Sequence, residues 1–409
     1  MRRPVQAGRT LDICLASAGA LVFAARGRIG GMRATATFFS TSLRDDVRQG
    51  LSLGSLILRH VKFAYVASAA VVLMLAGQAP AAERAGGSEG SGAAARAAPG
   101  GARLTTDAVP IAPLTLEGGE AARDLELDPG RIERNFGTVG HGRDGKETRR
   151  PPSDALRKAL DGARSMLEAP APGEAADGEA KRQVFGDDDR VRITGTTAYP
   201  FRVIGLLQGT TPDGRVGNCS ATLIGPRTLL TAAHCLYSHD HGGWLQNLVF
   251  APGLDGGNNA PYGVYEYETA YIFDGFLSNY QGFYGSVVPW DIGVVILSEP
   301  AGDDLGWMDF GYDDALGDFN ANIVGYPGDK PFGTMWRASC DVPSEAMQVM
   351  YFQYFCDTYP GSSGSSVWLH DESTNDSVIY GVNVAESPKA NAAVRINKLY
   401  FDWLESLVE

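Results

Sequence analysis

From residue 184 onward, apolar and polar positions alternate in short runs separated by Gly, Pro, Asn and Asp. The runs Phe201–Leu207, Cys219–Ile224, Leu229–Ala232, Tyr265–Phe273, Asp291–Leu297, Asn320–Gly325, Gln348–Phe355, Ser366–Leu369 and Ser377–Val384 predict strands. Many short strands broken by turn residues predict an all-β sandwich or barrel. The period changes only at the end of the chain. There Ile396, Leu399, Tyr400, Trp403, Leu404 and Leu407 recur at three and four residues, which predicts an amphipathic helix.

Before residue 184 the pattern is different. Residues 11–25 form one apolar run, and Phe63–Ala76 form a second, preceded by Arg59, His60 and Lys62 and followed by Ala79-Pro80-Ala81. The second run has the basic start, apolar centre and small-x-small end of a secretory signal over about residues 57–82, and is too short to span a bilayer comfortably. A signal so far along the chain implies a translation start downstream of Met1, at Met32 or at a non-Met codon; the competing reading is an uncleaved anchor. Residues 83–150 are rich in Gly, Ala and Arg and predict a disordered linker. Ser153 then reads as the N-cap of a helix carrying Leu156, Leu160, Ala163 and Leu167 and stopped by Pro170 and Pro172. The expected organisation is therefore an N-terminal extension with a signal (1–82), a propeptide or linker (83–183), and a folded domain (184–409).

Charge separates the same regions. Residues 184–409 carry 28 acidic and 10 basic side chains, while the whole 409-residue chain has a formal charge of −13. So acidic a domain is a poor partner for nucleic acid or an anionic membrane, and neither partnership is expected. Of five cysteines, four lie in this domain as two pairs, Cys219 with Cys235 and Cys340 with Cys356, each sixteen residues apart. Spacing alone leaves three connectivities open, and paired cysteines imply an oxidising compartment. His234, His239 and His241 lie near Cys235, but no C-x-x-C spacing accompanies them, and neither metal nor cofactor is expected. The acid-rich stretch Asp303, Asp304, Asp309, Asp313 and Asp314 lacks regular calcium-ligand spacing and reads as solvated surface.

Three stretches carry candidate chemistry. Tyr359-Pro360-Gly361-Ser362-Ser363-Gly364-Ser365-Ser366 is a run of small residues in which a serine hydroxyl can be presented to a substrate. Such a hydroxyl needs a base. Leu230-Thr231-Ala232-Ala233-His234-Cys235 offers His234 at a strand end, and Trp290-Asp291-Ile292-Gly293-Val294 offers one carboxylate, Asp291, to orient it. Singly, each has a duller reading as a turn serine, a core histidine or a strand-start carboxylate. The order His234, Asp291, Ser363 is that of serine peptidases on the chymotrypsin double barrel.

These stretches resemble the signature regions of the trypsin-like serine peptidases. Gly325-Tyr326-Pro327-Gly328-Asp329-Lys330-Pro331 and Phe185-Gly186-Asp187-Asp188-Asp189-Arg190 are similar to segments of the bacterial glutamyl endopeptidase branch. The resemblance covers roughly residues 184–409. It implies two six-stranded antiparallel β-barrels closed by a C-terminal α-helix, a Cys219–Cys235 bridge leaving Cys340–Cys356, and a His234–Asp291–Ser363 triad with an oxyanion hole from the Gly361 and Ser363 amides. It further implies a secreted, monomeric endopeptidase acting on proteins or peptides, whose propeptide another protease cuts near Arg182-Gln183-Val184. For the pocket, Thr358 matches a threonine of the glutamyl branch, and a free amino group at Val184 would add positive charge. Asn383 stands where that branch usually has histidine, and Asp357 falls where trypsin keeps its pocket-base aspartate. The resemblance therefore points to cleavage after Glu or Asp, with cleavage after Lys or Arg, or a non-catalytic binding protein on the same fold, as alternatives.

Overall fold

The computed structural model describes residues 11–15, 21–29, 32–39, 102–115, 133–167, 184–282, 284–371, 376–387 and 389–408. The chain divides into two units, 1–91 and 92–409. In the first, strands Leu11–Leu15, Leu21–Ile29 and Met32–Phe39 form an antiparallel meander. The expected signal at about 57–82 lies outside the described residues.

Twelve strands of the second unit form the frame of the site. The first six are β1 (Ile204–Thr210), β2 (Val216–Leu223), β3 (Thr228–Thr231), β4 (Gln246–Pro252), β5 (Tyr265–Phe273) and β6 (Gly293–Leu297). They pair in the ring order β1-β2-β3-β6-β5-β4, and β4 pairs back onto β1, so the sheet closes on itself. Closure shortens the exposed edges, and Leu207, Ala221, Leu223, Leu229, Phe250, Ile272 and Val295, which the register places on one face, are buried together. Each fully buried large apolar side chain of this kind contributes roughly 1.5–3 kcal/mol.

The next six are β7 (Phe319–Gly325), β8 (Met335–Val342), β9 (Tyr351–Tyr354), β10 (Ser366–Asp371), β11 (Asp376–Glu386) and β12 (Asn391–Arg395). Their neighbour order repeats that of the first ring, except that β8 and β9 are not paired. The Cys340–Cys356 disulfide, with Cα atoms 5.1 Å apart, ties β8 to the end of β9 across that seam. A second apolar core of Phe319, Ala321, Ile323, Val342, Phe352 and Val367 lies inside. The expected strand runs all fall on these elements, with ends shifted by a few residues; Phe201–Val203 is a 3-10 turn rather than the start of β1.

Two helices flank the barrels. Helix α1 (Asp154–Leu167) begins where expected, with the Ser153 hydroxyl accepting from the Leu156 amide at 3.2 Å. Helix α2 (Lys398–Glu405) is capped by Asn397, whose side chain accepts from the Leu399 and Tyr400 amides, and buries Leu399, Tyr400, Trp403 and Leu404. The two helices pack against each other.

Part of the stretch expected to be a featureless linker is regular strand. Thr138–Gly142 pairs antiparallel with β5, and Glu147–Arg150 pairs with it in turn. Val139 and Phe136 are buried, Phe136 against Phe273 and Trp290, and the Trp403 indole donates to the Thr138 hydroxyl at 2.9 Å. The hairpin draws its apolar partners from the barrel and α2, so its own composition is a poor guide to its order.

Candidate active site

The three candidate residues come from three loops. His234 sits in a 3-10 turn, Ala233–Cys235, directly after β3, and the Cys219–Cys235 disulfide fixes that turn to β2. Asp291 precedes β6 and is fully buried. Its Oδ1 accepts from the His234 backbone amide at 2.8 Å, and its Oδ2 lies 2.6 Å from His234 Nδ1. The carboxylate thus holds both the ring and the backbone of the same residue. Ser363 lies in the loop before β10, so the site draws on both barrels.

The loop holding Ser363 is shaped by glycine at two positions. Gly361 has φ +99°, and a Cβ there would sit 2.6 Å from the Tyr326 carbonyl oxygen; at Gly364, with φ +80°, it would meet Thr231 Oγ1 at 2.2 Å. Only glycine takes both conformations without strain. Neither the Gly361 nor the Ser363 amide donates a hydrogen bond among the described residues, leaving two unspent donors beside the hydroxyl. Ser363 Oγ and His234 Nε2 are both buried and likewise have no partner among the described residues.

One contributor escapes the sequence reading. Ser220, wholly buried on β2, donates its hydroxyl to the Gly361 carbonyl and accepts from the Tyr326 amide, both at 2.9 Å, while its own amide donates to the Ser363 carbonyl at 2.8 Å. This serine orients the turn that carries the two free amides. Nothing but its place after Cys219 marks it in the sequence.

Each of the expected pocket residues has its own setting in the uncut chain. Asp357 accepts from the Phe185 and Asp189 amides at 2.7 and 3.2 Å. It therefore holds the 185–189 loop rather than forming a pocket floor, and burial pushes its carboxyl above the ordinary range. Asn383 donates from Nδ2 to the Ser362 carbonyl at 2.9 Å, and its Oδ1 accepts from the Tyr354 hydroxyl. The residue is fully buried in the uncut chain. Val184 is half-buried in the uncut chain, and its amino group would be freed only by a cut before it. Thr358 instead donates to Glu386 Oε1 at 2.8 Å, a carboxylate that the sequence reading passed over. Arg190 is enclosed by Asp188 and Asp329, and Lys330 also contacts Asp188 at 2.6 Å; the Arg190 and Lys330 cations hold the Asp188 carboxyl well below its usual range.

A segment from before residue 184 crosses the site. Val109 and Pro110 pair parallel with Gly217 and Asn218 of β2, and Leu114 and Thr115 pair parallel with Ala385 and Glu386 of β11. The Ile111 amide donates to the Asn218 carbonyl at 3.0 Å. Pro110 lies so near Gly328 that a Cβ there would fall 1.9 Å from its ring, and one on Gly361 would fall 3.4 Å from it. Leu114 is buried, and Ser363 has no exposed surface. Among the described residues, Cys219, His234 and Cys235 are the only His, Cys or acidic side chains grouped within metal-binding reach, and both sulfurs are joined in the disulfide.

Residues 219–374 match the trypsin-like peptidase domain. A glutamyl endopeptidase of Bacillus licheniformis is 34% identical over 228 residues, 54% of this chain and 67% of the relative. A Bacillus subtilis protein named extracellular metalloprotease is 33% identical over 202 residues, 48% of this chain and 60% of the relative. The aligned part thus spans 67% and 60% of the length of these two curated relatives. A solved Glu endopeptidase in complex with MPD aligns with 55% of this chain and 98% of its own at 23% identity, with a TM-score of 0.47.

Proposed function

Because the chain belongs to the trypsin-like serine peptidases, we propose that it is a secreted serine endopeptidase made as a zymogen, with Ser363, His234 and Asp291 as its catalytic triad. The carrying observation is the two-point hold of Asp291 on His234, together with a serine in a glycine-flanked turn that has two unspent amides. Ser363 Oγ adds to the scissile carbonyl carbon as its proton passes to His234 Nε2. The oxyanion accepts from the Gly361 and Ser363 amides, each donor of this kind being worth about 10²–10³ in rate. Collapse expels the amine, which takes the proton from His234. Water, deprotonated by the same nitrogen, then releases the acyl group. Asp291 keeps the Nδ1 proton in place and stabilises the imidazolium throughout.

The burial of Ser363 under residues 109–115 supports the zymogen reading, with an activating protease cutting near Arg182-Gln183-Val184. The two disulfides support an oxidising, extracytoplasmic destination, and proteins or peptides are the substrates. The test is labelling by a fluorophosphonate, which reacts with an activated serine. The secreted, processed protein should label at Ser363 and hydrolyse a peptide mixture, and Ser363→Ala should abolish both. Labelling and hydrolysis that survive Ser363→Ala would overturn the triad. Cleavage after Glu or Asp is what the likeness to glutamyl endopeptidases implies; the residues around the pocket lead elsewhere.

A further inference from the structure

Glu386 is a buried acid that the proposed reaction does not use. It ends β11, only 2% exposed. Its Oε1 accepts from Thr358 at 2.8 Å, and its Oε2 has no partner among the described residues. Thr358 stands five residues before Ser363. Farther back on β11, the Asn383 amide and carbonyl bond to Ser365 and Gly364 just after the nucleophile. The Thr358–Glu386 bond therefore spans the slot between the segment entering Ser363 and the end of β11. In the proposed reaction, a substrate whose scissile carbonyl accepts from the Gly361 and Ser363 amides would place its preceding side chain between these two segments.

Among the described residues, no cation forms an ion pair with the carboxyl. Arg190 acts on it only through space, its guanidinium being shared by Asp188 and Asp329, and Lys389 forms no ion pair with it. A buried carboxylate with an unmatched oxygen is costly until a counter-charge arrives. We propose that Glu386 is a specificity-determining residue that selects a cationic side chain, Lys or Arg, before the scissile bond. A substrate Glu would instead bring a second acid beside Glu386 with no cation to balance a charge on either, the Asn383 amide being already engaged. Burial pushes the Glu386 carboxyl up to about 8, as expected of an acid awaiting its partner.

The proposal rests on the endopeptidase reading above, so its test includes a binding arm independent of turnover. The protein is taken in its secreted, processed form, with benzamidine as the cationic probe. Benzamidine should bind the Ser363→Ala protein, and Glu386→Gln should weaken that binding about 10- to 100-fold, the loss of a charge-assisted pair. In the active protein, kcat/KM for Lys over Gln peptides should fall by a like factor in Glu386→Gln. Thr358→Val, which keeps the carboxylate, should preserve the Lys preference and so controls for folding. Preference for Glu or for small residues, or benzamidine binding indifferent to Glu386, would overturn the assignment. Glu386-dependent binding without any Ser363 labelling would keep the pocket and remove the triad reading.

A second inference comes from chain direction. His234 must protonate the leaving amine, so a substrate's portion after the scissile bond lies on the His234 side, by β2, and its portion before it lies along β11. In residues 109–115 the order is inverted: the earlier residues pair with β2 and the later ones with β11. We infer that this segment is a reversed strap, which covers the site without presenting a peptide bond in the orientation that Ser363 attacks. In the uncut full chain, Leu114→Asp should raise the rate of fluorophosphonate labelling at Ser363 at least tenfold, while intact mass shows no cut between 109 and 115 on long incubation. An unchanged labelling rate, or a Ser363-dependent cut within the strap, would overturn it.

Discussion

Asp291 holds His234 at two points at once, its two carboxylate oxygens meeting the ring nitrogen at 2.6 Å and the backbone amide at 2.8 Å. The backbone contact fixes the turn, and the ring contact fixes which nitrogen keeps its proton. Asp291→Asn separates these roles, because an amide can serve as acceptor at only one of the two points and carries no charge. The fold should persist, as judged by an unchanged circular dichroism spectrum. The value of kcat should fall by about 10³–10⁴, while KM changes little.

Ser220 predicts a defect that looks remote from the chemistry. Removing its hydroxyl leaves the buried Tyr326 amide without its acceptor and frees the Gly361 carbonyl. Stability should fall by about 1–3 kcal/mol, the cost of an unsatisfied buried group, measured as a lower denaturation midpoint. Because the peptide unit of the oxyanion turn loses its tether, Ser220→Ala should also lower kcat more than it raises KM. A stability loss with kcat unchanged would show that the turn is held by other contacts.

The proposed triad is legible in the sequence because each member sits in a local context of its own: a strand end, a strand mouth, a run of small residues. Ser220 and Glu386 are not, and for the same reason. Each looks like an ordinary polar residue on a strand, and each acquires its role from a register between segments far apart in the chain, Ser220 with Ser363 and Glu386 with Thr358. Asp357 and Asn383 have partners that the sequence does not disclose. The count from Ser363 suggests a pocket for Asp357 and the likeness to the glutamyl branch suggests one for Asn383, whereas in the uncut chain the 185–189 loop bonds to Asp357, and Ser362 and Tyr354 bond to Asn383. The strands are legible from alternation, whereas the hairpin 138–150 is not, since the apolar surface that orders it belongs to β5 and α2.

The second barrel has one seam, between β8 and β9, and the Cys340–Cys356 bridge crosses it. Replacing both cysteines by alanine or serine removes the restraint on a loop of sixteen residues, worth about 3 kcal/mol. The expected result is a lower Tm, with amide exchange in Tyr351–Tyr354 accelerating before that in the closed first barrel. Uniform exchange through both barrels would mean that the seam is held without the bridge.

The pH dependence of stability follows from Glu386. Its carboxyl is raised from an ordinary value near 4.5 to about 8 in the folded protein, chiefly by burial. The Thr358 bond and the Arg190 charge oppose that rise, and Asp329 adds to it. Between these two values the folded state holds a proton that the unfolded state has released, so stability is lost as pH climbs from about 4.5 to 8. Below that window the group is protonated in both states and contributes no slope. Each unit of the shift corresponds to about 1.4 kcal/mol, so chemical denaturation across this window should reveal a decline that Glu386→Gln flattens. A cationic ligand favours the ionised carboxylate, so benzamidine should bind more tightly as pH rises through the same range, and its stabilisation of the fold should be largest near the upper end. A denaturation midpoint independent of pH in wild type, or the same slope in Glu386→Gln, would place the responsible group elsewhere.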